Sequence, residues 1–231
     1  MQEFIVTYRI GMEGAVEAYE LKLDPETMLP VDAPHSDQPE WTRLEHHQCA
    51  NCPLDPGQHP RCPMAERLLP IVVTHGSMRS HTIVDLEVEA SGRCIQQKAS
   101  LQQALGSLMG LVIASCGCPH TDFLKPMARF HQPLSNAEET VYRASSMYLM
   151  SQYMRQKNGL SADFDLKHLN LHYKHLQLVN RAMADRLRSI CTDDSAVNAV
   201  VLLDSFAKFQ PLAADITLEK LEPLFKAYLR D

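Results

Sequence analysis

The stretch HQCANCPLDPGQHPRCP, residues 47–63, sets three cysteines within fourteen positions, two of them followed directly by proline. No regular helix or strand accommodates that pattern, because Asp55-Pro56-Gly57 forces a turn in its middle. The segment can instead wrap a point. Cys49 and Cys52 have the two-residue gap that lets two thiolates grip one metal ion from a single turn. Cys62 returns after the turn, and Pro63 suits the first position of a helix, where its missing N–H costs nothing. Cys62 then stands at the helix cap, facing the positive end of the dipole, a setting that favours the thiolate a metal needs.

The rest of the chain supports a metal over a disulfide. The N-terminal MQEFIVTYRI has no basic region leading into a continuous apolar segment, so no signal peptide is read there. The seven cysteines are therefore expected in a reducing, cytoplasmic compartment, where CxxC pairs serve metals or redox chemistry. A chain of 231 residues also buries a sizeable core without covalent help. The net charge of −6 argues against a general nucleic-acid binder, which needs a basic surface. The best apolar run, Leu105 to Cys116, is too short to span a bilayer, so no membrane partner is expected.

A structural Zn²⁺ site wants four ligands. The Cys-Pro pair recurs once, in CGCPHT, which makes Cys118 the first choice beside Cys49, Cys52 and Cys62. His46, His47, His59 and Cys116 are its rivals. Zn²⁺ is the expected metal. A 4Fe–4S cluster is the alternative, since four thiolates hold one equally and proline follows ligand cysteines in ferredoxin-type sites. A metal-free redox CxxC is the third reading.

Around this cluster the sequence reads β-β-α-β-β and then helices. Residues 3–9 and 16–23 form a hairpin through Gly11-Met12-Glu13-Gly14, and 82–89 and 93–98 a second through Ala90-Ser91-Gly92. Between them Pro63 opens a helix that Pro70 must kink or end. From Ser100 onward, Leu101, Leu105, Leu108, Val112 and Cys116 recur as one buried stripe, with Gly106 and Gly110 allowing a neighbouring backbone to approach. Ser135-Asn136-Ala137-Glu138 reads as a capping box opening a helix that stops at Gly159. Leu166, Leu169, Tyr173, Leu176, Asn180, Met183, Leu187 and Ile190 make a heptad seam with one polar position, which packs within a bundle or against a second copy. A homodimer through 166–190 is therefore one candidate assembly. Shorter helices are expected at 195–209 and 217–229. The fold class is α+β: a small antiparallel sheet part, 1–99, followed by a helical bundle, 100–231, joined by the Cys-rich metal site, with one shared core as the alternative to two domains.

Residues 118–133, CPHTDFLKPMARFHQP, gather His120, Lys125, Arg129 and His131 in an otherwise acidic chain. They suggest a pocket for a small anionic ligand, or a catalytic patch in which His120 is acid or base and Arg129 holds a carboxylate or phosphate. Hydrogen bonding that merely fixes an irregular loop explains them as well. Glu138 and Glu139 sit in a helical first turn, where capping accounts for them. His168, His172 and His175 share one helix face beside the seam and read as a solvated or interface face. Met147, Met150 and Met154, with Tyr142, Tyr148 and Tyr153, are expected to fill core.

The strings HQCANCPL, CPHTDFLKPMARFH and SMYLMSQYMRQ resemble uncharacterised bacterial proteins grouped under a domain of unknown function, over most of the chain. The resemblance implies a bacterial cytoplasmic setting and carries no activity. The expected function is thus a metal-stabilised, Cys-ligated binding or regulatory protein, more a binder of a protein or small anion than an enzyme. Its rivals are an iron–sulfur redox or gas sensor or electron carrier, and a metal-dependent enzyme using His120, Arg129 and His131.

Overall fold

A computed structural model describes residues 3–12, 14–34 and 37–230, the side chains of 209–218 excepted. It is an α+β protein. Strands β1 (Phe4–Met12) and β2 (Ala15–Leu23) form the first hairpin, whose tip at Glu13 lies outside the described residues. Strands β3 (Ile83–Ala90) and β4 (Arg93–Ser100) form the second. Ser91 and Gly92 turn it with φ of 50° and 72°, the two positive values a tight hairpin turn needs. The hairpins join through β1 and β3, giving one antiparallel sheet in the order β2-β1-β3-β4. One face of β1, Phe4, Val6, Tyr8 and Ile10, is buried, and so are Val84, Leu86 and Val88 of β3. The outer strands β2 and β4 remain largely exposed.

Helix α1 (Pro63–His75) runs through Pro70 without ending. Helix α2 (Leu101–Ser115) is more deeply placed than one stripe implies. Ala104, Gly106, Met109, Leu111, Ile113 and Ala114 are buried beside the expected Leu101, Leu105, Leu108 and Val112. A helix apolar all round is a central one. Ser100 and Gln103 close a capping box at its start. A Cβ on Gly106 or Gly110 would meet Leu202 or Leu203 at 3.4 Å, so these glycines let the segment carrying those leucines approach α2 closely.

A short helix α3 (Lys125–Arg129) leads to α4 (Ala137–Lys157). The α4 cap is Asn136 with Glu139, one residue beyond the expected pair, and Gly159 follows its end at φ 72°. Tyr148 is buried, but Tyr142, Met150, Tyr153 and Met154 are exposed, so the expected Met/Tyr core on α4 is a surface. Helix α5 (Lys167–Arg188) buries its seam within the same chain: Leu169, Tyr173, Leu176, Asn180, Met183 and Leu187 are all covered. Ahead of it, Asp163 accepts from His168 N–H and Tyr148 O–H, both at 2.8 Å. The two shorter helices expected at 195–209 and 217–229 are instead one, α6 (Ser195–Leu221), followed by a 3₁₀ turn (Glu222–Phe225). A long helix absorbs Pro211 at the loss of one backbone hydrogen bond.

The main core takes side chains from both sides of residue 99, among them Val6, Leu86, Leu68, Leu105, Met183 and Val200. A second, smaller cluster joins α4, α5 and α6 through Ala144, Tyr148, Leu169, Tyr173 and Ala207. Among the described residues no helix is long and apolar enough to cross a membrane.

Candidate metal centre

Cys62 caps α1 with Pro63 as its first helical residue. Its amide donates to Thr42 O at 2.8 Å, and its carbonyl accepts from Glu66 N at 3.0 Å. The cap is thereby pinned to the segment that carries Trp41. Cys49 and Cys52 flank a turn closed by Cys52 N–H donating to Cys49 O at 3.0 Å. Within that turn Asn51 is held from two directions. His120 donates Nε2–H to Asn51 O at 2.6 Å, and Asn51 Nδ2 donates to His175 O at 3.3 Å. The first bond ties the CxxC turn to the Cys118 loop, and the second ties it to α5. Cys118 is brought to the same place by Gly117, which turns the end of α2 at φ 85°, a value that favours glycine.

The four cysteines line one small cavity of about 20 Å³, with His47, His120, Met183 and Arg186 also in its wall. Cys116 is not in that wall; it is buried, with its Sγ donating to Ile113 O. Cys94 is exposed on β4. His46 bonds Ser189 Oγ at 3.0 Å, and His59 is exposed. All the cysteines are free. Among the described residues, no three His, Cys, Asp or Glu side chains stand in an arrangement that holds a metal ion as it is.

Arg186 is the residue the sequence reading missed. Only 2% of it is exposed. Its guanidinium donates to Arg43 O at 2.6 Å and to Trp41 O and Leu44 O. None of its partners among the described residues is a carboxylate. Burial pulls its pKa down, and Cys62, Cys49 and Cys52 are the groups that push it back up. Burial likewise pushes the Cys49 thiol up to about 12 and the Cys118 thiol to about 11, with the neighbouring thiols adding to each. Those two sulfurs keep their protons at neutral pH unless something displaces them.

The basic loop is dispersed over several settings. His120 faces the thiol cavity, and its ring lies 5.5 Å from that of His175. Lys125 pairs with Asp122 at 3.0 Å, and Arg129 stacks over the Phe4 ring at 4.5 Å. His131 lines a larger cavity of about 370 Å³, whose wall shares no residue with that of the thiol cavity. Its Nε2 meets Tyr8 Oη, which also bonds Ser107 Oγ at 2.8 Å. Among the α5 histidines, His172 stacks on Phe123 at 4.9 Å and His168 faces Asp163.

Over residues 5–226 the chain matches the family described as Domain of unknown function (DUF6901). The chain belongs to the DUF6901 family. No curated protein and no solved structure matches it. For this DUF6901 chain the functional reading therefore rests on its own side chains.

Burial and the nearby Arg143 charge depress the His131 pKa from 6.5 to about 3. The unfolded chain takes up this proton below about pH 6.5, whereas the folded chain resists it until about pH 3. The folded state is thus at full advantage above pH 6.5 and loses it as pH falls toward 3. The slope is up to about 1.4 kcal/mol per pH unit, less to the extent that cavity water reaches the ring. Urea unfolding between pH 7 and 4 should show that decline, and His131→Gln should make it shallower. An unchanged slope in the variant would remove His131 as its source.

Proposed function

We propose that the protein is a zinc-stapled binding or regulatory protein, with one Zn²⁺ held by Cys49, Cys52, Cys62 and Cys118. The observation that carries this reading is Arg186. A buried guanidinium beside four thiols, with no carboxylate among its partners, is a charge that costs several kcal/mol unless an anion neutralises it. Four thiolates on one Zn²⁺ form a dianion, and this is the counter-charge that the buried arginine lacks. The four thiols share the wall of a gap of about 20 Å³ and would have to turn toward its centre to close on an ion. A gap that small suits one ion, being little more than the space a single water needs. The same size ranks zinc above a 4Fe–4S cluster, which would have to push the walls apart.

The staple would join the CxxC turn, the α1 cap and the end of α2. His120 supports it by fixing Asn51, so an acid–base role for His120 has less to recommend it than a positioning one. A cytoplasmic setting accords with thiolate ligands.

Metal content and an absorption spectrum test the proposal, on untagged protein purified without oxygen. About one zinc per chain and no visible colour is the expected result. Iron with sulfide and a brown absorbance at about 400 nm would replace zinc with a cluster and turn the function toward redox or sensing. Protein that is fully folded and free of metal would overturn both.

A further inference from the structure

The 370 Å³ cavity lies between α2, the α3–α4 loop, α5 and α6, and shares no lining residue with the thiol cavity. Its size falls within the range of about 300–1,000 Å³ typical of small-molecule sites. Most of its wall is apolar, with Leu111, Ile113, Met127, Leu176, Leu203 and Phe206 prominent. Against that wall stand three polar groups with capacity to spare.

Asn180 is the polar position of the α5 seam. It is 2% exposed, it lines the cavity, and its amide makes no hydrogen bond among the described residues. Facing the cavity, that amide is open to whatever fills it. His131 offers a second group. In the neutral tautomer whose Nε2 accepts from Tyr8 O–H, the imidazole hydrogen stands on Nδ1. That N–H has no partner among the described residues. Arg143 is the third. It donates to Ser135 Oγ at 3.2 Å and to Met127 O and Phe130 O at 3.1 and 2.8 Å. No carboxylate is among these partners; burial disfavours its charge and Glu139 acts on it only through space, so an anion in the chamber would give it a direct counter-charge.

We infer that this cavity binds a small, mainly apolar carboxylate, its head taken by Arg143, Asn180 and the His131 Nδ1–H and its body by the apolar wall. A carboxylate is favoured over a phosphate ester because one guanidinium balances one negative charge, and the remaining wall offers little to solvate a second. It is favoured over a neutral molecule because an alcohol brings that guanidinium no counter-charge. The site would give the binding protein proposed above a ligand class, but its geometry does not depend on the metal.

Octanoate and octanol, titrated into the full-length protein as purified, test the inference because they differ only in the head group. Octanoate is expected to bind about ten- to a hundredfold more tightly than octanol, the ratio for a charge-assisted hydrogen bond. In methyl NMR it should shift Met127 and Ala207 before methyls outside the cavity. Arg143→Gln should remove most of the preference for octanoate while leaving octanol binding in place. Should that variant fail to fold, Asn180→Leu serves instead, since it keeps the loop hydrogen bonds and is expected to weaken octanoate more than octanol. Equal affinity for the two probes, no binding of either, or shifts centred elsewhere would each overturn the inference. Metal content read on the same samples separates this outcome from that of the zinc proposal.

Discussion

If Cys49, Cys52, Cys62 and Cys118 hold zinc as proposed, a strong chelator under reducing conditions is expected to lower the midpoint of thermal unfolding by about 10–20 °C. That corresponds to roughly 5 kcal/mol in a chain of this length. The loss is smaller than the binding energy of a zinc-finger ion, about 10–16 kcal/mol, because this chain keeps a core of its own. Val6, Leu68, Leu105 and Val200, each fully buried, hold sheet and helices together without the thiols. The proposed zinc would add a direct link among three segments that also meet through Asn51, a few backbone bonds and core packing. Cys52→Ser should reproduce the chelated state, and adding chelator to that variant should change little further. Differential scanning calorimetry of the four samples decides it. If the wild type is indifferent to chelator, the thiols are not holding a metal that the fold depends on.

Arg186→Met is expected to cost about 3–5 kcal/mol in the metal-loaded protein, the usual loss when one side of a buried charge pair is removed. Two effects combine. The carbonyls of Trp41, Arg43 and Leu44 lose their donor, and the tetrathiolate loses its counter-charge. Chelated protein should suffer only the first, since protonated thiols need no cation. The difference between the two backgrounds, measured by urea unfolding, isolates the electrostatic part. Zinc affinity should fall in parallel. Equal losses with and without metal would mean that Arg186 serves the carbonyls alone.

The local grammar of the fold is legible in the chain. Ser91-Gly92 dictates its hairpin because both residues must turn with positive φ, and Cys62-Pro63 dictates its helix start because proline there forfeits no bond. Matching Cys-Pro pairs also brought Cys118 into the set that lines the thiol cavity. Long-range placement was harder to read. Arg186 sits one position before Leu187 on α5, and nothing in a charged residue's spacing reveals that a helix end will be covered by the 41–44 segment. A clue was present, since Arg186 follows Met183 by three and so continues the apolar seam. Asn180 was visible as a polar break in that seam, but its cavity depends on how α3 and α6 close around it. The Met and Tyr residues of α4 misled because unbranched and aromatic side chains suit a core and a surface alike. The single long α6 was obscured by Pro211, which usually marks an ending.

The positions of these groups along the chain impose an order on assembly. All four thiols leave the ribosome before Arg186 does, and at about 5–20 residues per second the lag is several seconds. During that interval the cysteines lack both the Arg186 side chain that completes their cavity wall and the α5 backbone that steadies Asn51. The pocket is complete only once α5 has docked, so a chain interrupted earlier would carry its sulfurs without the means to hold them in place.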